Sequence, residues 1–90
     1  MIEIIATKEF KKYYQALPKE IQKKAIKQQR LFCQNPFYPS LNTEKLEPKG
    51  RQAWSFRIDR DYRIVFRFID QNKVVFLVCG HHSWIYKYRF

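Results

Sequence analysis

The stretch that decides the fold lies in the second half of the chain, where residues 54–79 read WSFRIDRDYRIVFRFIDQNKVVFLVC. Large apolar residues alternate with polar ones up to Phe68, and residues 73–79 are almost entirely apolar. A period of two is typical of strands with one buried face, and a short apolar run suits a central strand. Residues 70–72 form a turn sequence. We therefore predict three consecutive strands joined by short turns, which make an antiparallel meander.

The first half of the chain has the period of helices. A short β-branched strand is predicted at residues 2–6, and Thr7 then suits the N-cap of a helix over about residues 8–17. A second helix is predicted to begin at Pro18 and to end before Pro36. Apolar residues recur at spacings of three and four in both segments, so each helix has one apolar face and a lysine-rich outer surface.

Between the two halves, residues 36–52 hold three of the four prolines and one of the two glycines, so we predict a loop anchored by Leu41 and Leu46. The tail, residues 81–90, is compatible with a short strand or a helical turn. We predict one α+β domain over residues 1–90, in the order β-α-α-β-β-β. An N-terminal strand precedes a two-helix hairpin, and the hairpin packs on one face of a mostly antiparallel twisted sheet. The other face of the sheet is predicted to be open.

Size and charge restrict the function. The chain has 90 residues, and 18 Lys and Arg against 8 Asp and Glu give a net charge of +10. Such a charge indicates a polyanionic partner, nucleic acid above all. The two glycines leave no glycine-rich phosphate loop. No apolar stretch is long enough for a secretory or membrane segment, so we expect a cytoplasmic location, with Cys33 and Cys79 as free buried thiols.

The arginines of the strand half are predicted to share one face of the sheet. If Trp54 and Phe56 face the helices, Ser55 and the arginines at 57, 63 and 67 face the opposite, open side. The planar guanidinium is well suited to bind phosphate, which favours an RNA-binding face. The alternative is a solvated strand face whose charges limit edge-to-edge aggregation.

The densest group of reactive side chains is residues 79–87, CGHHSWIYK. A metal site of Cys79, His81 and His82 lacks the second ligand pair that zinc sites usually have. Cys79 ends an apolar strand and is expected to be buried, and a Ser83–His82 pair lacks a third group. What remains is acid–base cleavage of RNA, in which the 2′-hydroxyl is the nucleophile, histidine the acid or base, and arginine the charge stabiliser.

A plain structural role competes with this chemistry. His82 and Tyr86 would then be surface residues that pack Trp84 against the core. On the residues alone, the catalytic and the structural interpretation are about equally good.

Five segments, in their order and spacing, resemble the RelE/ParE superfamily of bacterial and archaeal toxin–antitoxin toxins. They are Thr7-x-x-Phe10, residues 35–41 leading to Lys45-Leu46, residues 54–58, residues 61–66 and residues 80–86. The resemblance covers nearly the whole chain. It implies a RelE-like fold and an endoribonuclease toxin that cleaves mRNA, usually on the ribosome, and is silenced by a cognate antitoxin.

The resemblance also implies roles for four residues. The Tyr-Arg strand motif of RelE-like members supplies a phosphate-stabilising arginine, which falls on Arg63, and the preceding strand contributes Arg57. The family's final Gly-x-Arg motif meets His82 here, so its second arginine is missing. The YafQ-like branch instead has a catalytic histidine in a Gly-x-His-Ser ending, which His82 matches. Tyr86, four residues on, is expected to orient the attacking hydroxyl or to stack on a base.

Further contacts to RNA are predicted for six side chains around these four: Lys45, Arg51, Arg60, Arg67, His81 and Lys87. We expect no cofactor and no metal, because RNA supplies its own nucleophile. The expected partners are mRNA, the ribosome with its rRNA, and an antitoxin protein. The ParE branch has the same fold but inhibits DNA gyrase without nuclease residues, and it stays the main alternative. A simple RNA-binding domain is the third.

Overall fold

The computed structural model describes residues 1–46 and 52–88. Its elements are β1 (Glu3–Ala6), α1 (Lys8–Ala16), α2 (Lys19–Gln34), a 3-10 turn (Pro39–Leu41), β2 (Glu44–Lys45), β3 (Trp54–Arg57), β4 (Tyr62–Asp70), β5 (Lys73–His81) and α3 (His82–Ile85). The five strands form one sheet in the order β1-β5-β4-β3-β2. β1 is parallel to β5, and the other neighbouring strands are antiparallel. The predicted α+β fold class and the β3-β4-β5 meander are confirmed.

The two helices begin and end where the sequence predicts. The Thr7 hydroxyl accepts the backbone N–H of Phe10 at 3.0 Å and donates to the carbonyl of Leu77 at 3.1 Å, so the N-cap also ties α1 to β5. The Gln22 side-chain amide donates to the carbonyls of Tyr14 and Leu17 at 3.1 Å each, which joins the end of α1 to α2. Within the described residues, no helix is long and apolar enough to cross a lipid bilayer.

An aromatic core lies between α2 and the sheet. The ring of Phe32 on α2 is fully buried and lies 4.7 Å from that of Phe56, 4.9 Å from that of Phe66 and 5.6 Å from that of Phe76, between ring centroids. Each of these three phenylalanines belongs to a different strand, β3, β4 and β5. Aromatic pairs at these distances add packing energy to the area that they bury. One helix residue therefore holds three strands of the sheet to α2.

The second face of the sheet is not open, and this part of the prediction is wrong. A second, smaller apolar cluster covers it, made of Leu46, Ala53, Val65, Val78 and Ile85. Ser55, expected to face solvent, is only 1% exposed. The reason is that the tail beyond His81 turns back as α3 and packs on β4 and β5. The predicted loop also contributes strand β2, which sequence alone did not reveal.

A β-bulge in β5 accounts for the two-sided burial of that strand. Val65 of β4 pairs with Val78 and Phe66 pairs with Phe76, so Leu77 is the extra residue. Without the bulge, side chains two residues apart would lie on the same face of the strand. With it, Phe76 joins the aromatic core while Val78 joins the cluster under α3.

Gly80 allows the tail to lie close to the sheet. The indole ring of Trp84 packs directly on the Gly80 backbone, and a β-carbon at this position would overlap the ring. The ring cannot easily move away, because its centroid lies 5.1 Å from that of Tyr13 and 6.1 Å from that of Tyr88. The glycine is therefore required by the close approach of a side chain and not by its backbone angle.

We expect Gly80→Ala to lower the free energy of unfolding by about 1–3 kcal/mol, because the added methyl group overpacks the Trp84 contact. Urea unfolding followed by circular dichroism measures this loss. In a Trp84→Leu background the ring atoms are gone, and Gly80→Ala should cost much less. An equal cost in both backgrounds would contradict the packing explanation.

Candidate functional site

The pairing of β3, β4 and β5 places two of the predicted arginines beside the end of β5. Gly80 lies opposite Arg63, and Arg63 lies opposite Arg57, so the three residues form a row across the sheet. Neighbouring strands are about 4.8 Å apart, so this row spans about 10 Å between backbones. His82 follows Gly80 by two residues and begins α3.

The turn between β3 and β4 is organised by Asp59. Its carboxylate accepts the backbone N–H groups of Asp61 at 2.8 Å and of Tyr62 at 3.0 Å, and it pairs with Lys24 at 3.5 Å. Partial burial acts to raise the pKa of Asp59, but these hydrogen bonds and the ammonium group of Lys24 outweigh it and lower the pKa. The carboxylate thus fixes the turn that leads into Arg63.

Arg63 is anchored on that same turn. Its Nη1 donates to the backbone carbonyls of Asp59 and Arg60 at 2.9 Å and of Tyr62 at 3.1 Å. The other two guanidinium nitrogens take no part in these three bonds. A guanidinium held through one nitrogen loses little further freedom when it binds a phosphate through the others.

Arg57 is held by the loop after α2. The amide oxygen of Asn42 accepts from Nε and Nη2 of Arg57 at 3.1 and 3.0 Å. Asn42 has a φ of 51°, a left-handed conformation that asparagine tolerates. The backbone carbonyl of Arg57 accepts from the side-chain amide of Gln28 at 2.9 Å, which ties β3 to α2.

The predicted cluster of three arginines is divided in the structure. Arg67 lies opposite Val75, four residues along β4 from Arg63. Four residues of strand span about 13 Å, so Arg67 lies well away from the end of β5 where His82 begins α3. Arg57 and Arg63 belong to the candidate site, and Arg67 belongs to its surroundings.

The two histidines differ in their surroundings. The sequence alone could not show which of them is more accessible. Nδ1 of His81 accepts the backbone N–H of Ser83 at 3.0 Å and lies 2.9 Å from its hydroxyl, so His81 is the N-cap of α3. Its ring also lies edge-on to that of Tyr62, 5.4 Å between centroids. The side chain of His82 is 47% exposed. The ring of His81 thus caps α3, and His82 is the more accessible imidazole.

Tyr86 and Lys87 belong to the segment that ends α3. Tyr86 follows His82 by four residues, which places both on one side of the helical turn, and it lines a groove with Glu44, Lys45 and Leu46. The ammonium of Lys45 lies 5.8 Å from the centre of the Trp54 ring. Arg60 and Lys87 are exposed. Arg51 lies outside the described residues.

The sequence prediction missed Asp61. The backbone N–H of His82 donates to the carbonyl of Asp61 at 2.8 Å, and the Asp61 carboxylate lies 3.9 Å from Nε2 of His82. The two residues are 21 positions apart in the chain, and only the register that pairs Tyr62 with His81 brings them together. Nothing in the sequence pattern indicates this register.

The two cysteines are free, as predicted; Cys79 is buried, also as predicted, whereas the expected burial of Cys33 is wrong because its place on α2 leaves it half-buried. Cys79 is fully buried in the aromatic core, and burial raises the pKa of its thiol to about 12. Cys33 on α2 is half-buried, and burial raises the pKa of its thiol as well, although the N-terminal ammonium partly offsets this. Cys79 therefore does not join His81 and His82 as a metal ligand.

The sequence model of the ParE-like toxin domain family matches residues 19–84, which include α2, the meander and the first three residues of α3. The chain belongs to this family of toxins. No curated protein sequence matches it significantly. The matched segment contains four of the five described strands, β2 to β5. The match places the chain in the RelE/ParE superfamily.

Solved structures of related toxins share the fold of this ParE-like toxin. YafQ from E. coli strain BL21(DE3) superposes with a TM-score of 0.76 at 13% identity, over 96% of this chain and 99% of YafQ. A YoeB/ParE toxin from Agrobacterium tumefaciens gives 0.72 at 21% identity, over 90% and 99% of the two chains. YoeB in the heterotetrameric YoeB–YefM toxin–antitoxin complex from Staphylococcus aureus gives 0.68 at 23%, over 91% and 98%.

We expect a thiol reagent such as DTNB to react with at most one cysteine of the native protein. Cys79 is buried and its raised pKa leaves almost no thiolate near pH 8, so it should react only after unfolding. Mass spectrometry of the labelled protein identifies the modified residue. Rapid labelling of Cys79 in a folded Cys33→Ser variant would contradict this placement.

Proposed function

We propose that this ParE-like toxin is an endoribonuclease that cleaves mRNA by metal-independent acid–base catalysis. One observation carries the proposal. The accessible imidazole of His82 begins α3 at the end of β5, and the pairing register sets Arg63 and Arg57 beside that end. RNA cleavage requires a base, an acid and cations for the charge that develops on phosphorus; His82 supplies one of the two proton-transfer groups, and the arginines supply the cations.

In the proposed reaction, the 2′-hydroxyl of the RNA attacks the adjacent phosphorus and the bond to the 5′-oxygen breaks. The 2′-oxygen loses its proton to a base, and the leaving 5′-oxygen gains a proton from an acid. His82 carries out one of these transfers. The products are a 2′,3′-cyclic phosphate, which can open to a 3′-phosphate, and a 5′-hydroxyl. The RNA provides the nucleophile, so the reaction has no need of a metal-bound water.

Arg63 and Arg57 are proposed to hold the scissile phosphate. Both guanidinium groups are fixed by neighbouring oxygens, Arg63 by the turn after β3 and Arg57 by Asn42. Donors that are already oriented stabilise a transition state without reorganisation during the reaction. Tyr86, on the same side of α3 as His82, is proposed to orient the 2′-hydroxyl or to stack on a base.

The rest of the positive charge is proposed to bind the RNA backbone. Exposed Lys45, Arg60 and Lys87 lie around α3 and the turn before β4, Arg67 lies further along the sheet, and Arg51 is assigned by sequence alone. The ribosome is proposed as the place where mRNA is presented, in the cytoplasm. YoeB and YafQ occur in complexes with the antitoxins YefM and DinJ, which supports an antitoxin partner for this chain.

Inhibition of DNA gyrase is the second candidate function. The match to a ParE-like toxin domain favours it. The resemblance to the ParE branch implies action on gyrase with this fold and without nuclease residues. The two functions differ in one requirement. A gyrase inhibitor has no use for an imidazole at position 82, whereas the nuclease depends on it.

We expect His82→Gln to lower the rate of mRNA cleavage by about 100-fold or more, because glutamine keeps the polarity but cannot transfer a proton. Cleavage of mRNA on purified ribosomes, with mapping of the new ends, measures the effect. The matched control is His81→Asn, which keeps an N-cap for α3 and should lose far less activity. Full activity of His82→Gln, or complete inhibition of the wild type by EDTA, would disprove the mechanism.

Arg63→Ala should lower kcat by about 100-fold, the usual loss when one donor to a developing negative charge is removed. The variant also loses a bond network in the turn, so its thermal unfolding is measured alongside. Arg67→Ala removes an arginine from the same strand and should raise KM with little change in kcat. Equal effects of the two substitutions would contradict the assignment of Arg63 to the scissile phosphate.

Induced expression separates the nuclease from the gyrase inhibitor. For the nuclease, His82→Ala should restore growth, and the wild-type toxin should leave DNA supercoiling unchanged while mRNA is cut. If the His82→Ala variant stops growth as strongly as the wild type and gyrase activity falls, the gyrase function is correct.

A further inference from the structure

A candidate metal site overlaps the candidate catalytic site and consists of Asp61, His81 and His82. We propose that these three side chains bind a divalent transition-metal ion such as Zn²⁺, and that the bound ion switches the toxin off. The first half of the proposal concerns binding alone. The second half rests on the proposed nuclease function, because it requires His82 to be an acid or base.

The geometry brings three ligand atoms close together. One atom from each side chain lies within 4.8 Å of the other two, and the carboxylate of Asp61 lies 3.9 Å from Nε2 of His82. The two imidazole rings are stacked, with centroids 4.5 Å apart and planes at 26°. Around tetrahedral zinc with bonds of about 2.0 Å, ligand atoms lie about 3.3 Å apart. The side chains of Asp61 and His82 are 48% and 47% exposed, so they can rotate to close this difference.

The three ligand atoms indicate which kind of metal ion the site would bind. Two imidazole nitrogens and one carboxylate oxygen are the ligands of many catalytic zinc sites, which keep a fourth position open. Magnesium and calcium prefer oxygen ligands alone, so they fit this set poorly. The carboxylate of Asp61 also brings a negative charge, which offsets part of the repulsion that a cation meets on a protein of net charge +10.

Ser83 provides a partner for the metal-bound form of His81. In the metal-free structure, Nδ1 of His81 accepts the Ser83 backbone N–H at 3.0 Å. Coordination through Nε2 moves the ring proton to Nδ1, which then donates to the Ser83 hydroxyl, 2.9 Å away in the metal-free structure, while the Ser83 backbone N–H gives up its bond to Nδ1. A hydrogen bond of this kind from the second ring nitrogen orients histidine ligands in metal sites.

An occupied site removes the proposed catalytic group. A metal ion takes the lone pair of the His82 nitrogen that it binds, so that nitrogen can neither accept nor deliver a proton. The same two elements that expose His82, the end of β5 and the turn before β4, supply the other two ligands. Inhibition by zinc therefore follows from where His82 lies and requires no change in the pairing of the strands.

Isothermal titration of the metal-free protein with zinc sulfate tests the site directly. We expect one zinc ion per chain, and binding at least about 10-fold weaker in Asp61→Asn, His81→Asn and His82→Gln. The matched controls are Cys33→Ser, which removes the accessible thiol, and Asp70→Asn, which removes a carboxylate at the far end of β4; both should bind like the wild type. No binding by the wild type, or binding that depends on Cys33, would overturn the site.

Cleavage assays with added zinc, and protein-free controls for cleavage of RNA by zinc itself, test the switch. We expect zinc to inhibit the wild type and EDTA to reverse it, and Asp61→Asn to need at least about 10-fold more zinc for the same fractional inhibition. Stimulation by zinc would overturn both the switch and the metal-independent mechanism. Zinc binding by a protein that cleaves no mRNA under any condition would overturn the nuclease and leave the binding site standing.

Discussion

The antiparallel pairing of β4 with β5 is the interaction on which the rest of the molecule depends. It places the start of β4 against the end of β5, so that Tyr62 meets His81 and Arg63 meets Gly80. The aromatic core forms on one side of this pair and the smaller apolar cluster on the other. Both the row of arginines and the contact between Asp61 and His82 are consequences of the same register.

Packing at the end of β5 and the chemistry of the site are connected. Gly80 lets the Trp84 ring lie on the backbone, which turns the tail into α3 instead of extending the strand. The imidazole of His81 then becomes the cap of that short helix and leaves His82 accessible. The proposed nuclease needs no deep pocket, because a large RNA can be held on an exposed basic surface.

The sequence predicted the helices, the meander and most of the candidate residues. It failed where tertiary packing overrides the local pattern. Ser55 and Val65 alternate like residues of a solvent-exposed face, yet both are buried, and Val65 lies in the apolar cluster with Leu46 and Ile85 of α3. Glu44–Lys45 became a strand only because β3 offers an edge to pair with. Asp61 was missed because its importance depends on a residue 21 positions away.

By itself, the sequence determined the residue types available for chemistry, the apolar periods and the family, because these are properties of order and spacing along the chain. The tertiary structure decided which of two adjacent histidines is accessible, which arginines share a site with it and which carboxylate lies beside it. Those choices depend on strand register and on the bulge at Leu77, and a shift of one residue in either would move the side chains to the opposite face.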